Sequence, residues 1–314
     1  MNKRIWLIVG SAVVGTAVWL MLAQSAAMQP QATVSGVVKD LNTGLPIAGA
    51  TVRVQATDDY TITTADGSFT LNGLPDGVWT RLAAWKEGYL IEGGAWVQAP
   101  ETGVTITIRQ YYAEDNPDYE WFSSSDPNDP AMSCMHCMVA HPQWVNNAHA
   151  NSAVNPRFFS IYNGTYLTTT ATVSPGYKLD FPGTPGNCAA CHAPTAVVAG
   201  VPTTMTHTTT VTGSLSADMN TLSGVELEGS FCEFCHKIGE VYLDPGTGLP
   251  YDDRPGVLSM RLYRSPPGWV LFFGPFDDVT RRVSYLDLEK KSQFCAPCHQ
   301  ASFHGTPIYE SFDE

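Results

Sequence analysis

The chain repeats one five-residue pattern three times in its second half: Cys188-Ala-Ala-Cys191-His192, Cys232-Glu-Phe-Cys235-His236 and Cys295-Ala-Pro-Cys298-His299. Cys-x-x-Cys-His is the attachment pattern of c-type haem. The two thiols form thioethers with the haem vinyl groups, and the histidine that follows lies under the iron as its proximal ligand. The three repeats therefore predict three covalently bound haem c groups.

Other uses of paired cysteines fit this pattern less well. Structural zinc requires two pairs that converge on one ion at short, regular spacing, but the gaps between these pairs are long and irregular. A thioredoxin-type site uses a single pair near a βαβ unit, which the sequence does not indicate. Disulfides would explain the thiols but not three histidines in the same position.

A fourth pair departs from the pattern. Residues 134–150 read CMHCMVAHPQWVNNAHA, so Cys134 and Cys137 are followed by Met138 where histidine is expected. The residues alone leave open a disulfide, or a metal site that includes His136 and His141.

Several segments of residues 131–314 resemble one group of multihaem c-type cytochromes, those related to hydroxylamine oxidoreductase and to tetrahaem electron carriers. The similar segments are HANSAVNPRFFSIYNGT (149–165), EGSFCEFCHKI (228–238), LFFGPFDD (271–278), SQFCAPCHQ (292–300) and PIYESFDE (307–314). In that family a first motif is often followed by tryptophan and then His-Ala, as Trp144 and His149 are placed here. The resemblance implies a fourth haem on Cys134 and Cys137, with Met138 or His141 as its proximal ligand; we favour His141.

All eight histidines lie in this half of the chain: His136, His141, His149, His192, His207, His236, His299 and His304. Four haems with two histidine ligands each would use eight. We predict that His149, His207 and His304 are distal ligands. His136 lies inside a Cys-x-x-Cys loop and would have to serve a neighbouring haem, as would His304, since a helix would place it on the same side as His299.

Residues 1–27 have the features of an export signal. Lys3 and Arg4 precede an apolar run over residues 5–22, and small residues follow up to Ala27. The run is about the minimum length for a membrane-spanning helix, so an uncleaved N-terminal anchor is the alternative. Both predict an exported, periplasmic or extracellular protein, which agrees with the attachment of haem c outside the cytoplasm.

Residues 32–110 contain neither cysteine nor histidine and form a separate predicted domain. Short β-rich runs at 34–39, 51–56, 60–64, 68–71 and 104–108 are divided by turn sequences such as Asn42-Thr-Gly44 and Asp66-Gly67. Val104, Ile106 and Ile108 alternate with polar residues, as in a half-buried strand. Strands at this spacing predict a small all-β sandwich.

The same domain resembles the carboxypeptidase regulatory-like family. The similar segments are VSGVVKDLNTGLPIAGATVRV (34–54), TTADGSFTLNGLPDGVW (63–79) and AAWKEGYL (83–90). The resemblance implies a prealbumin-like β-sandwich that acts as a spacer, docking or adhesion module and has no catalytic residues.

The predicted architecture is therefore multidomain. An acidic linker at 111–130 joins the sandwich to an irregular haem domain of short helices and loops at 131–314. The aromatic residues of the linker predict that it packs against another part of the molecule. Haem, as a large apolar plate, would supply the core that a sequence with so little periodicity cannot build from side chains alone.

The charge and the motifs together predict an electron carrier. A net charge of −13 argues against nucleic acid and is compatible with redox partner proteins or with a homo-oligomer or filament. We expect a relay of electrons through three or four haems. The alternative is a haem enzyme that acts on a small nitrogen or sulfur compound at an open first haem.

Overall fold

The computed structural model describes residues 30–122, 134, 137–167, 169, 171–184, 186–200, 208–209, 215–216, 224–279, 282–303 and 306–310. Among these residues no helix is long and apolar enough to cross a membrane. The predicted export signal at 1–27 lies outside them.

The first domain is a sandwich of two β-sheets. Its strands are β1 (Gln31–Asp40), β2 (Thr51–Val54), β3 (Tyr60–Ile62), β4 (Ser68–Pro75), β5 (Trp79–Trp85), β6 (Glu92–Gln98) and β7 (Glu101–Ile108). One sheet has the order β4-β1-β7 and the other β3-β2-β5-β6. The pairs are antiparallel except β1 with β7, which is parallel. The predicted β-sandwich is confirmed.

The core of the sandwich comes from the inward faces of both sheets. Its buried residues include Val34, Val38, Val52, Phe69, Leu71, Leu82, Ala84, Val97, Ile106 and Ile108. Ile106 and Ile108 are buried and the intervening residue is exposed, as the alternation in this strand predicted. Burial of such side chains stabilises each by about 1.5–3 kcal/mol relative to exposure.

Two glycines allow close approaches within the sandwich. A Cβ on Gly36 would lie 2.0 Å from the carbonyl oxygen of Val104, so β1 and β7 can pair only with glycine here. Gly67 has φ +75°, and its added Cβ would lie 2.8 Å from the carbonyl oxygen of Val38. The predicted Asp66-Gly67 turn is thus fixed both by conformation and by space.

The second domain consists of short helices and short strands. The helices are α1 (Ala140–Val145), α2 (Pro156–Asn163), α3 (Tyr177–Asp180), α4 (Ala189–His192), α5 (Pro194–Val198), α6 (Cys232–Lys237) and α7 (Ala296–His299). The strands are β8 (Thr208–Thr209), β9 (Leu215–Ser216), β10 (Ile238–Val241), β11 (Met260–Leu262), β12 (Phe272–Gly274), β13 (Val283–Tyr285), β14 (Gln300–Phe303) and β15 (Thr306–Glu310). Turns of 3₁₀ helix occur at Gly224–Glu228, Gly256–Ser259, Asp287–Lys290 and Ser292–Phe294. This irregular, short-helix architecture agrees with the prediction.

The outer face of the β3-β2-β5-β6 sheet is covered in part by the second domain. The guanidinium of Arg53 forms an ion pair with Asp277: Nη2 donates to Oδ2 at 3.1 Å, and Nε lies 3.0 Å from Oδ1. The indole of Trp85 donates to Ser284 Oγ at 2.9 Å and packs edge-on to Tyr285. Ala83 points to this face and is 1% exposed. The two domains therefore share a packed interface.

The chain between the domains also packs, as its aromatic residues predicted. Tyr111 contacts Tyr263 and Phe273 edge-on, and Trp121 packs on Phe231. Arg264, which is 5% exposed, forms a bidentate pair with Asp115 at 2.8 and 2.7 Å.

Candidate functional site

Each of the three Cys-x-x-Cys-His motifs forms a short helix. His192 and His299 are the last residues of α4 and α7, and His236 lies in the last turn of α6. The amide of His192 donates to the carbonyl of Cys188 at 3.1 Å, and the amide of His299 donates to that of Cys295 at 3.0 Å. One helical turn therefore places the first cysteine and the histidine on the same side.

His192 is held by two contacts from a preceding segment. Its Nδ1 lies 3.0 Å from the carbonyl oxygen of Ser152, and its ring stacks on Phe158 with centroids 3.8 Å apart. A carbonyl oxygen only accepts, so Nδ1 carries the proton and Nε2 keeps its lone pair for a metal. Burial lowers the pKa of His192, which favours this neutral form.

The helix that carries Phe158 is defined by its sequence. Asn155 caps α2 by accepting from the amides of Arg157 and Phe158, and Pro156 occupies the first turn. Gly164 ends the helix with φ 66°. Phe159 and Tyr162 are buried on the inner side, which fixes the rotation of α2 and so the position of Phe158.

His236 has the same type of contact from the other direction along the chain. Its Nδ1 lies 2.6 Å from the carbonyl oxygen of Phe273 and 3.7 Å from Oε1 of Glu289. Burial lowers the pKa of His236, but the Glu289 carboxylate and the Phe273 carbonyl outweigh it, and the net pKa is raised. The Nε2 atom again faces away from these partners.

His299 lies beside His149. Their ring centroids are 5.8 Å apart and the ring planes are nearly perpendicular, at 89°. Burial, and then the charge of His149, lower the pKa of His299.

The four cysteine pairs converge on one region, and none of the eight cysteines forms a disulfide. The thiols of Cys134 and Cys232 interact, which raises the pKa of Cys134 and lowers that of Cys232. An interaction between the thiols of Cys191 and Cys298 lowers the pKa of Cys191 and raises that of Cys298. Each interaction joins cysteines of two different pairs, so these cysteines are close together although they are far apart in sequence.

The remaining thiols are shifted mainly by burial. Burial raises the pKa of Cys188 to about 11 and that of Cys235 to about 12, and it also raises the pKa of Cys295. These thiols stay protonated at neutral pH. Cys137 is exposed.

The two candidate ligands next to the first pair differ in exposure. Met138 is 83% exposed. His141, in the first turn of α1, is 8% exposed, and its Nε2 is buried with no hydrogen-bond partner. A buried nitrogen without a partner is costly unless it binds something, so His141 is the better-placed ligand.

The other predicted ligands, His136, His207 and His304, lie outside the described residues. Among the described ones, no three His, Cys, Asp or Glu side chains form a group able to hold a metal ion. Haem c demands less of the chain, because the porphyrin supplies four ligands and the protein adds one or two. The Nδ1 contacts of His192 and His236, and the Nε2 of His141, fit that demand.

Two residues that help to form the site, Glu233 and Lys237, are not among the residues that define the Cys-x-x-Cys-His pattern. Glu233, inside the third cysteine pair, is 1% exposed and accepts from the Tyr119 hydroxyl at 2.6 Å and the Phe122 amide at 2.7 Å. Lys237 is fully buried, donates to the carbonyl of Leu271 and lies 4.1 Å from the ring of Phe272. Burial lowers the pKa of Lys237 to about 8. The sequence signal for this pair was the presence of Glu233 inside the motif and of Lys237 directly after it. The residues that each of them contacts could not be predicted from the sequence.

Comparison with known proteins identifies the first domain. Residues 33–109 match the carboxypeptidase regulatory-like domain, so the chain carries such a domain at this position. The match confirms the predicted resemblance for the sandwich. No curated protein matches the chain.

Among solved structures, the chain is similar to proteins of several kinds. A cohesin–X-dockerin complex from Acetivibrio cellulolyticus shares 24% identity over 26% of this chain and 58% of its own, with a TM-score of 0.22. The C-terminal domain of a shaft pilin from Lactobacillus rhamnosus GG shares 16% identity over 26% of this chain and 99% of its own, with a TM-score of 0.19. A 3-chlorocatechol 1,2-dioxygenase from Rhodococcus opacus 1CP shares 14% identity over 27% of this chain and 62% of its own, with a TM-score of 0.21.

Proposed function

We propose that this chain is an exported multihaem c-type cytochrome that relays electrons. It would carry haem c at Cys188/Cys191, Cys232/Cys235 and Cys295/Cys298, and a fourth haem at Cys134/Cys137. The observation that carries the proposal is the triple Cys-x-x-Cys-His pattern, with its four cysteine pairs gathered in one region. When bound, haem supplies one-electron chemistry at its iron.

The chain's own residues would orient the axial histidines. His192 and His236 each direct Nδ1 at a backbone carbonyl, which fixes the ring and leaves Nε2 for the iron. These carbonyls come from segments distant in sequence, so each ring is held by the tertiary fold. The Glu289 carboxylate beside His236 would make the imidazole of His236 a stronger electron donor to a bound iron than the imidazole of His192. We expect the haem at His236 to have the lower reduction potential of the two.

The Cys134/Cys137 site, which is the first along the chain, differs from the other three in its ligand. We propose His141 as the axial residue there, because its Nε2 is buried without a partner and Met138 is largely exposed. His141 follows Cys137 by one helical turn, and its amide donates to the Cys137 carbonyl at 2.9 Å.

The sandwich would serve as a docking module, within one molecule or between molecules. It already contacts the second domain through Arg53 and Trp85. Redox partner proteins, or further copies in a homo-oligomer or filament, are the proposed partners. We place the protein in the periplasm or outside the cell, either free or anchored through residues 5–22.

The competing function is a haem enzyme with an open iron face at the first site, which rests on Met138 standing where histidine is expected. The spin state of the purified, haem-loaded protein separates the two. A relay requires every ferric haem to be low-spin and unaffected by nitrite or hydroxylamine, and every ferrous haem to be unaffected by carbon monoxide. A high-spin haem that binds one of these in the unaltered protein would overturn the relay in favour of the enzyme.

A further inference from the structure

One pair of histidine rings joins the segment after the first cysteine pair to the last motif. The rings of His149 and His299 have centroids 5.8 Å apart. A metal–imidazole bond is about 2 Å long, so two imidazoles on opposite sides of one metal have centroids about 6 Å apart. The angle between the ring planes of two such ligands is not fixed by the metal, so the observed 89° is allowed.

His149 does not belong to a helix, and a network of backbone contacts fixes it instead. Its amide donates to Asn147 Oδ1 at 2.8 Å. Its carbonyl accepts from the Ser152 hydroxyl at 3.0 Å and from the Ser230 amide at 3.1 Å. Because Ser230 lies two residues before Cys232, the turn that carries His149 is attached to the segment that leads into the Cys232–His236 motif.

Gly229 makes this attachment possible. A Cβ at Gly229 would lie 2.1 Å from Ser152 Oγ and 2.5 Å from the carbonyl oxygen of His149, and its φ is +62°. Only glycine fits that conformation and that space without displacing the turn. The position of His149 is thus built into the fold and does not depend on its own side chain.

The other two motif histidines, His192 and His236, have contacts of a different kind. His192 is stacked on Phe158 and faces the carbonyl of Ser152, and His236 faces Phe273 and Glu289. Among the described residues, neither ring packs against another histidine ring. His149 is therefore placed to serve the last motif and not the cysteine pair nearest to it in sequence.

We propose, building on the proposed function, that His149 is the second axial ligand of the haem attached at Cys295 and Cys298, opposite His299. The first part of the haem domain would then complete its last site. Attachment of that haem would tie residues 146–154 to residues 295–299 and close the domain.

The assignment is tested in the haem-loaded full chain by combining His149→Ala with the removal of one haem site at a time and measuring the spin state of the remaining haems. His149→Ala should turn one haem high-spin in the ferric electron paramagnetic resonance spectrum, and added imidazole should restore the low-spin signal. The high-spin signal should persist when the second site is removed by Cys188→Ser with Cys191→Ser. It should disappear when the last site is removed by Cys295→Ser with Cys298→Ser. Asn151→Ala, an exposed change in the same turn, should leave every haem low-spin.

The opposite results overturn the assignment. A high-spin signal from His149→Ala that survives removal of the last site would assign His149 to another haem, and no high-spin signal would exclude it as a ligand. Should the cysteine variants fail to fold, His149→Met in the complete protein is informative: a thioether should raise one potential without loss of haem, and four unchanged potentials would contradict the proposal. Failure of the proposed function itself appears separately, as a haem count below three in the unaltered protein.

Discussion

The hydroxyl of Tyr119 donates a hydrogen bond of 2.6 Å to Oε1 of Glu233. Tyr119 belongs to the segment between the domains, and Glu233 lies between the two cysteines of the third motif. The second oxygen of Glu233 accepts from the amide of Phe122 at 2.7 Å. A single buried carboxylate therefore holds the incoming chain against the helix of the Cys232–His236 motif.

Loss of this contact should destabilise the protein. Tyr119→Phe leaves part of a buried carboxylate without its donor, and we expect the free energy of unfolding to fall by about 1–3 kcal/mol. Tyr112→Phe is the matched control, because the Tyr112 hydroxyl donates to Glu114 on the exposed surface. Its effect should stay below about 0.5 kcal/mol. Urea denaturation followed by circular dichroism measures both, and equal effects would contradict the account.

The ion pair between Asp115 and Arg264 should matter more than an exposed pair. Asp115→Ala leaves the guanidinium of Arg264 buried without its carboxylate, and we expect a loss of about 3 kcal/mol. Asp253→Ala removes the partner of Arg254 at 3.7 Å, where both side chains are largely solvated, and should cost less than about 1 kcal/mol. The same denaturation experiment compares them. A small effect of Asp115→Ala would show that the linker is not anchored through this pair.

The strands of the sandwich that have one solvent-exposed face were predictable from the alternation of apolar and polar residues and from the turn sequences between them. Strands β1 and β7 and the Asp66-Gly67 turn appear where the sequence indicated them. Strands β5 and β6 were not predicted as strands. Leu82, Ala83 and Ala84 are buried in succession, and a bulge at Leu82/Ala83 shifts the register. Asp277, Ser284 and Tyr285 of the second domain lie over the outer face of this sheet. A tertiary contact thus removed the alternation that would have revealed β5.

The site was predictable only as far as its motifs. The cysteine spacing fixes which residues form the short helices, and the helices are present. The carbonyls of Ser152 and Phe273 that face His192 and His236 have no sequence signature, since every residue has a carbonyl. Contacts between His149 and His299, or between Cys134 and Cys232, depend on the path of the intervening chain, which no local pattern encodes.

Asp66 gives a pH-dependent test of the predicted turn. Hydrogen bonds from the Thr64 hydroxyl, then from Ser68, lower the pKa of Asp66 from 3.8 to about 2. The folded state therefore favours the carboxylate, so its contribution is present above pH 3.8 and is lost as the pH falls through about 2. Thr64→Val removes the largest cause and should raise the pKa toward its ordinary value. Carboxyl NMR titration measures the shift, and an unchanged pKa in the variant would contradict the stated cause.

The ligand of the first site is tested by a pair of variants. We expect His141→Ala to shift one reduction potential strongly, because imidazole is lost from the iron, and Met138→Ala to shift it little. Spectroelectrochemical titration of both variants measures the potentials. The reverse result would make Met138 the ligand, and a thioether there would give this haem a higher potential than a second imidazole would.

The intact mass of the mature protein after acid–acetone extraction tests the central claim most directly, because only covalently attached haem survives that treatment. The account predicts a mass that includes four haems, with peptides from all four cysteine pairs modified. A mass with three haems and a Cys134–Cys137 disulfide would remove the fourth site alone. A mass with fewer than three would contradict the proposal that this chain is a multihaem cytochrome.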